Sequence, residues 1–291
     1  MAGFRIAWAN ECDPSAQKSY LANKSDDCIL DGRDIKTIEP DEILTTIRIR
    51  KGELDVLDGS PPCQAFSILG KRDKGWGNER RYDGGVSQCN ETMFSQYIRL
   101  LRGLYPKVFI AENVKGLVTG KAKGYFFEIL NELKESGYNV ACRLLDAQFL
   151  GVPQRRNRCI FIGVRNDLEI EPVFPLPLPY RYSVKDAIPW FSGVDIGSHK
   201  HFVRTWINSE NVCGTIVGHP DKNGGFIRDQ DGKVRKFTIA ECKRICSFPD
   251  DFVLHGSYSQ QWLRLGNAVP PVMMRHIAEA VMVGVLDKLD K

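Results

Sequence analysis

Apolar runs alternate with amphipathic stretches along the first 165 residues of the chain. The runs FRIAWA, ELDVLDG and KVFIAENV have the length and content of strands, and the stretches ETMFSQYIRLLRGLYP and GYFFEILNELKESG repeat their apolar residues at helical spacing. Strands that alternate with helices form repeated strand–helix units around a parallel sheet. The pattern therefore predicts an α/β domain.

Two further strand-like runs, YNVACRLL and RCIFIGV, are joined by the loop DAQFLGVPQRRN. This loop is too short for the crossover that two parallel strands need. We expect these two runs to form an antiparallel pair at the end of the sheet.

The amino-acid composition of the chain changes at Glu171, and four prolines fall within residues 172–179. Neither a helix nor a central strand tolerates that density of proline. The chain then carries turn signals and the glycine-rich HPDKNGG, before TIAECKRICSFPDDF and PPVMMRHIAEAVMVGVLDKL return to helical periodicity. We predict a large domain over 1–165, a small irregular domain over 166–236, and a segment over 237–291 that packs back on the first domain.

Composition narrows the class of protein without identifying it. The 291 residues are 43% hydrophobic, which excludes a disordered chain, and the 40 lysines and arginines against 36 acidic residues permit a nucleic-acid partner. No run approaches the ~20 apolar residues of a membrane span and no signal peptide is visible, so the expected location is the cytoplasm. The nine cysteines lack the spacing of a disulfide scaffold or a zinc site. We expect reduced thiols and no metal, with Cys242 and Cys246 packed in the core.

Cys63 stands in the segment DGSPPCQAFS, directly after the apolar run 54–57. We expect it where a parallel strand leaves the sheet at its carboxyl edge, the edge at which open α/β sheets place their active sites. Pro61 and Pro62 fix two successive φ angles and would hold the thiol in one direction. A packed core cysteine is the alternative interpretation.

Two more groups are expected at the same edge. Glu112 follows the apolar run of KVFIAENV, and the segment QRRNR brings Arg155, Arg156 and Arg158 to the start of the second antiparallel strand. Taken singly, the glutamate could cap a helix and the arginines could form a solvated surface. Taken with Cys63, they describe a thiol, a carboxylic acid and a clamp for a phosphate or carbonyl group.

One reaction needs this set of groups. A thiolate adds to C6 of cytosine only if the ring is electron-poor, and a carboxylic acid at N3, the role that Glu112 fits, makes it so. Guanidinium groups bind the base carbonyl or flanking phosphates and lower the thiol pKa from about 8.5. Addition makes C5 a nucleophile that takes a methyl group from a sulfonium donor, and loss of the C5 proton with elimination of the cysteine completes the cycle. Because C6 is buried in a stacked duplex, the base must first leave the helix.

The motifs GSPPCQAFS, ENV, QRRNR, FTIAECKRICSFPDDF and GNAVPP resemble, in this order, signature blocks of bacterial and phage cytosine-C5 DNA methyltransferases, over nearly the whole chain. The resemblance implies a Rossmann-like α/β sheet dependent on S-adenosylmethionine, with residues 166–236 as a small irregular target-recognition domain. It implies double-stranded DNA as the substrate, and DNA methylation of the kind found in restriction–modification systems.

The resemblance also assigns roles to residues. It makes Cys63 the nucleophile and Glu112 the group that engages cytosine N3. It places Arg156 and Arg158 by the pocket. The DNA contacts that it implies are Gln64, Ser67 and Arg155.

For the cofactor, the resemblance implies that Glu11 of WANECDP holds the ribose hydroxyls. In the segment GRDIKTI, Asp34 and Ile35 bracket the adenine, and Asn267 of GNAVPP closes the pocket from the far end of the chain. Many family members carry an aromatic residue where this chain has Cys12, so adenine stacking there is expected to be weaker.

One departure from the family is serious. The family opens with a central strand and a glycine-rich F-x-G-x-G turn that cradles the methionine end of the cofactor, and this chain begins after that block. Unpaired backbone groups are then expected inside the sheet, at ~1–3 kcal/mol each. Three explanations stay open: a start codon assigned too late or a truncated chain, a split enzyme whose first strand comes from a second chain, or a decayed gene. We expect the chain alone to bind S-adenosylmethionine weakly or not at all.

Two other functions remain alternatives. A tRNA cytosine-C5 methyltransferase is built on the same blocks, although its eukaryotic members carry a C-F-T tripeptide that this sequence lacks. A non-catalytic DNA-binding or partner subunit would account for the missing cofactor block.

Overall fold

The structure is a computed structural model of the chain. It describes residues 2–62, 80–81, 87–88, 93–119, 123–190, 193–195, 206–221, 226–228 and 231–289. The strands are β1 (Trp8–Asn10), β2 (Ile29–Asp31), β3 (Val56–Gly59), β4 (Arg80–Arg81), β5 (Ser87–Gln88), β6 (Val108–Val114), β7 (Tyr138–Asp146), β8 (Asn157–Arg165), β9 (Gly193–Asp195), β10 (Trp206–Asn208), β11 (Phe226–Arg228) and β12 (Val234–Lys236). The helices are α1 (Pro14–Leu21), α2 (Pro40–Ile47), α3 (Met93–Leu104), α4 (Lys123–Glu135), α5 (Val184–Ala187), α6 (Ile239–Ile245), α7 (Tyr258–Asn267), α8 (Pro271–Val281) and α9 (Asp287–Leu289), with a π-helical turn at Met282–Leu286 between the last two.

The main sheet has four strands in the order β3-β6-β8-β7. β3 and β6 are parallel, with Gly59 opposite Ala111, whereas β8 is antiparallel to both of its neighbours. The predicted antiparallel pair at the end of the sheet is therefore present. The reversal brings the start of β8 to the edge at which β3 ends, since Arg158 lies opposite Val114.

Helices cover both faces of this sheet. On one face, α3 and α4 pack against the aromatic residues of β6 and β8 in a core that contains Phe94, Phe109 and Phe161. On the other face, α8 contributes Met273 and Ile277 to a second core with the aliphatic residues of the same strands. A sheet buried on both sides explains why the KVFIAENV and RCIFIGV runs are apolar without alternation.

β1 and β2 form a separate parallel pair. Within the described part of the chain, β1 pairs only with β2, and β3 pairs only with β6. Trp8 and Leu57 nevertheless pack against one cluster built by α2 and α3, while Phe4 and Val56 pack against the core on the opposite face. Ile29 of β2, by contrast, is 42% exposed. β1 is thus the inner strand of its pair, and it shares the α2–α3 layer with β3.

The handedness of the connections also places β1 on the side of its pair that is nearer to β3. The crossovers β2–α2–β3 and β3–α3–β6 carry their helices on the same face, so right-handed connections step in one direction along the sheet. The β1–β2 pair therefore lies beyond the β3 edge of the main sheet, with β1 nearer to β3 than β2 is.

A small antiparallel sheet, β10-β9-β11-β12, lies within residues 166–236. A third core joins this region to the C-terminal helices, with Ile216 and Ile227 packed beside Cys242, Ile245 and Trp262. Capping boxes begin α6, between Thr238 and Glu241, and α7, between Ser257 and Gln260. The expected burial of Cys242 and Cys246 is observed.

The C-terminal stretch Tyr258–Leu289 is long and apolar enough to cross a membrane by length and composition. It is not one uninterrupted helix, because α7 ends at Asn267 and α8 begins at Pro271. The apolar face of α8 lies in the second core of the main sheet. The stretch therefore consists of helices that pack against the rest of the protein.

Candidate active site

The carboxyl ends of β3 and β6 meet at one edge of the main sheet. Beyond Gly59 the chain turns through Ser60, Pro61 and Pro62 toward Cys63, and the Asn113 side-chain amide donates a hydrogen bond to the Pro61 carbonyl at 3.1 Å. This bond ties the proline turn to the strand that carries Glu112. Cys63, Gln64 and Ser67 themselves lie outside the described residues.

Glu112 is buried at this edge, with 8% of its surface exposed. The sequence pattern predicted it at the end of a strand, but β6 continues to Val114 because its pairing with β8 extends past the end of β3. Arg158 Nε lies 2.6 Å from Glu112 Oε1. A carboxyl and a guanidinium are therefore in contact beside the proline turn.

Two opposing effects act on the Glu112 carboxyl. Burial raises its pKa above the ordinary value, and the charges of Arg158 and Arg156, with a hydrogen bond from Ser60, oppose that shift. The net pKa is raised, so burial prevails. A glutamate held in this way keeps its proton to higher pH than a solvated one, which suits a group that must donate a proton.

Asp58 is a second carboxyl near this site that sequence reasoning missed. It lies on β3 opposite Ile110, diagonal to Glu112 on the neighbouring strand. Its side chain keeps accessible surface, yet the surrounding protein and the nearby Glu112 charge raise its pKa to about 6. The alternation of ELDVLDG puts Asp58 on the face of Val56, but it does not reveal the raised pKa.

The three arginines of QRRNR differ in their surroundings. Arg158 contacts Glu112, and Arg155 is exposed. Arg156 is 1% exposed and donates to the carbonyls of Ile216, at 2.9 Å, and Gly266, at 2.7 Å. The terminal nitrogens of Arg156 are thus bound by main-chain carbonyls, yet its charge still acts on the Glu112 carboxyl. The convergence of all three arginines on one crevice stays a prediction.

The residues expected to hold the cofactor follow neighbouring strands. Glu11 follows β1, where its Oε1 accepts the Asp13 backbone N–H at 2.8 Å and burial raises its pKa. Asp34 follows β2 and caps the short 3-10 turn Ile35–Thr37. Asn267 is exposed at the end of α7.

The chemistry of these residues fits half of an S-adenosylmethionine molecule. Because β1 and β2 are parallel neighbours, the Glu11 and Asp34 carboxylates both lie at the carboxyl edge, and they are the acceptors that ribose hydroxyls and an adenine amino group need. Ile35 supplies an apolar side chain that packs against the α2–α3 cluster. The set contains no group suited to the methionine half. Among the described residues, no cluster of His, Cys, Asp and Glu could hold a metal ion.

The chain is similar to a known family over most of its length. Residues 1–189 and 192–282 match the sequence profile of the family described as C-5 cytosine-specific DNA methylase. The chain is 31% identical to the Type II methyltransferase M1.HphI of Haemophilus parahaemolyticus, over 97% of this chain and 82% of that protein. It is 30% identical to the Type II methyltransferase M.FnuDI of Fusobacterium nucleatum, over 99% of this chain and 90% of that protein.

Solved structures show the same fold at lower identity. The Dnmt2 methyltransferase of S. pombe has a TM-score of 0.65 at 16% identity, covering 98% of this chain and 92% of its own. The DNMT2 of Spodoptera frugiperda has a TM-score of 0.63 at 19% identity, covering 93% of this chain and 90% of its own.

Proposed function

The chain belongs to the C-5 cytosine-specific DNA methylase family, and we propose that its carboxyl edge performs the family's reaction with Cys63 and Glu112 as the reacting groups. DNA cytosine-C5 methylation is the activity of this enzyme. The observation that supports the residue assignment is the Asn113–Pro61 hydrogen bond next to the Glu112–Arg158 contact. It brings the turn that leads into Cys63 beside a buried, proton-holding carboxyl.

The residues act in sequence on a cytosine that has left the duplex. The Cys63 thiolate forms a bond to C6 while Glu112 delivers a proton to N3, so the electron pair of the C5–C6 double bond becomes available at C5. Arg158 holds the Glu112 carboxyl and, next to it, the base carbonyl. C5 then takes the methyl group, and a base removes the C5 proton. The electron pair of that C–H bond restores the C5–C6 double bond and expels Cys63 as thiolate, while N3 returns its proton to Glu112.

S-adenosylmethionine supplies the methyl group when bound, as the family requires. We assign Glu11 to the ribose hydroxyls, Asp34 and Ile35 to the adenine, and Asn267 to the closing side of the pocket. Arg155, which is exposed, is assigned to a DNA phosphate together with Gln64 and Ser67. Residues 166–236 serve as the target-recognition domain. We place the enzyme in the cytoplasm, with its DNA.

A methylation assay distinguishes DNA from the tRNA alternative. Duplex DNA from a methylation-free host is expected to accept label at a defined cytosine that bisulfite sequencing identifies, and tRNA is expected to accept none. Preferential labelling of tRNA would overturn the assignment of the polymer. Binding of DNA with no methyl transfer, even at millimolar cofactor, would favour the non-catalytic subunit.

A second part of the proposal concerns the space between β1 and β3, which we call the open position because the two strands are not paired with each other in the described part of the chain. Both strands are parallel members of their pairs, and Phe4 with Val56 and Trp8 with Leu57 pack into the same two apolar clusters. A strand between them would be parallel and apolar on both sides. The carboxyl edge at this point is also a topological switch point, where ligands bind in open sheets. We propose that such a strand and its following turn complete the cofactor site.

This assignment predicts weak cofactor binding by the chain alone. Calorimetry of residues 1–291 with S-adenosylmethionine is expected to show no tight binding, because the residues assigned to the cofactor reach only its adenosine half. Hydrogen exchange is expected to be at least ~10²-fold faster at the backbone amides of β1 and β3 that face the open position than at those of β6, whose partners lie on both sides. Tight, stoichiometric binding or full protection of β3 would contradict the open position.

A further inference from the structure

Gln154 is a fully buried amide to which the motif analysis assigned no role. It has 0% exposure, although glutamine is mostly found at surfaces. Its Oε1 accepts the backbone N–H of Ile216 at 3.0 Å, while the guanidinium of Arg156 donates to the backbone C=O of the same residue at 2.9 Å. Both polar backbone groups of Ile216 are thus held by side chains of one short segment.

The segments 153–156 and 213–216 are joined along their length. The Cys213 N–H donates to the Pro153 carbonyl at 3.0 Å, and the Arg155 N–H donates to the Cys213 carbonyl at 2.9 Å. The Thr215 hydroxyl adds a bond of 2.6 Å to the Arg155 carbonyl. We call residues 213–218 the strap, because this part of the small domain runs across the start of β8.

The strap ends against α7. The Trp262 indole N–H donates to the Val217 carbonyl at 2.8 Å, and Arg156 reaches past the strap to the Gly266 carbonyl. A Cβ atom on Gly266 would lie 2.5 Å from the Val217 backbone, so only glycine permits this approach. Asn267, assigned to the cofactor pocket, is the next residue.

We propose that Gln154 and Arg156 are positioning residues that dock the strap, and with it the DNA-recognition region, onto the catalytic edge. This rests on the proposed function, since it presumes that residues 166–236 read DNA. The geometry favours it because the side chains of one extended segment alternate in direction. Arg155 faces solvent, whereas Gln154 and Arg156 face the strap. Arg158, two residues further, contacts Glu112, so the strap and the catalytic carboxyl are set by one rigid segment.

The test compares two buried glutamines of the same loop. Gln154→Met keeps the volume but leaves the Ile216 N–H without its acceptor. The matched control is Gln148→Met, because Gln148 is also buried yet bonds locally to Asp146 at 2.6 Å. Thr215→Val removes one bond at the edge of the strap and serves if Gln154→Met does not fold.

Two measurements that need no cofactor, amide exchange at Ile216 and the Kd for duplex DNA, are expected to change together. In Gln154→Met the Ile216 amide is expected to exchange at least tenfold faster, and the Kd for duplex DNA to rise at least tenfold, the change that losing ~1.4 kcal/mol produces. Thr215→Val is expected to shift both readouts in the same direction by a smaller factor. Gln148→Met is expected to stay within twofold of the wild type in both.

Faster exchange at Ile216 with an unchanged Kd would overturn the proposal, because the bond would then be structural only. An equal rise in Kd for Gln148→Met would overturn it too. If the wild-type chain bound no DNA at all, the proposed function would fail, and the exchange readout would still report whether Gln154 holds the strap.

Discussion

Cys63→Ser is expected to abolish methylation of duplex DNA while the Kd for DNA stays within about twofold of the wild type. A serine hydroxyl does not ionise near neutral pH, so it cannot add to C6, but docking of DNA does not use the thiol. Removing a nucleophile costs ~10⁴-fold or more in turnover. The measurement is single-turnover methyl transfer at saturating DNA, with binding followed by fluorescence anisotropy.

Cys142→Ser is the matched control for that experiment. Cys142 is a partly buried thiol in the middle of β7, opposite Phe161 and away from the carboxyl edge. Turnover is expected to survive this change. Normal turnover in Cys63→Ser would remove Cys63 from the mechanism and return it to the core-packing interpretation.

Glu112→Gln is expected to slow methyl transfer by ~10²-fold or more, the usual scale for losing a general acid. Glutamine keeps the shape and can still donate an N–H hydrogen bond, but it has no proton to transfer to N3. A negligible effect on the single-turnover rate would instead assign Glu112 a purely structural part beside Arg158.

The pH profile gives the same residue a second, sharper test. The active form is the protonated carboxyl, and burial raises its pKa. The wild-type rate is therefore expected to fall as pH rises through that raised pKa, and Glu112→Gln is expected to lose this alkaline decline. An identical decline in the glutamine variant would show that another group causes it.

Much of the fold could be predicted from periodicity. The apolar runs correctly located β1, β3 and β6, and the short loop before QRRNR correctly gave the antiparallel pairing of β7 with β8. The pattern could not show that β6 runs on through Glu112, because that extension comes from pairing with β8 and not from the local sequence. It could not show either that Phe4 and Val56 pack against the core under α8, because that helix lies near the far end of the chain.

The sequence indicated residues of the candidate site, but it did not predict how all of them are arranged. Sequence reasoning brought Glu112 and Arg158 to one edge, and the 2.6 Å contact agrees with it. Alternation along QRRNR separates Arg155 from Arg156, but the partners of Arg156, at residues 216 and 266, lie 60 and 110 positions away. Gln154 was missed for the same reason, since nothing near it in the chain marks it as buried.

The contact between Glu112 and Arg158 has a consequence for catalysis. An ion pair in a buried site favours the carboxylate, whereas desolvation favours the acid, and in this protein desolvation prevails. A carboxyl so balanced can give its proton to N3 and be stabilised by Arg158 once it is charged. The arginine thereby assists the proton transfer without touching the proton.

We propose that the thiol of Cys63 and the carboxyl of Glu112 act on one extruded cytosine. Addition to C6 makes C5 basic, so C5 takes a proton from solvent. When C5 then loses its original hydrogen and the addition reverses, that hydrogen has been exchanged with solvent. No methyl donor is needed. Release of tritium from duplex DNA carrying [5-³H]cytosine, measured without cofactor, tests this most directly. We predict release by the wild-type chain, none by Cys63→Ser, and at least ~10²-fold slower release by Glu112→Gln. Undiminished release by Cys63→Ser would contradict the account.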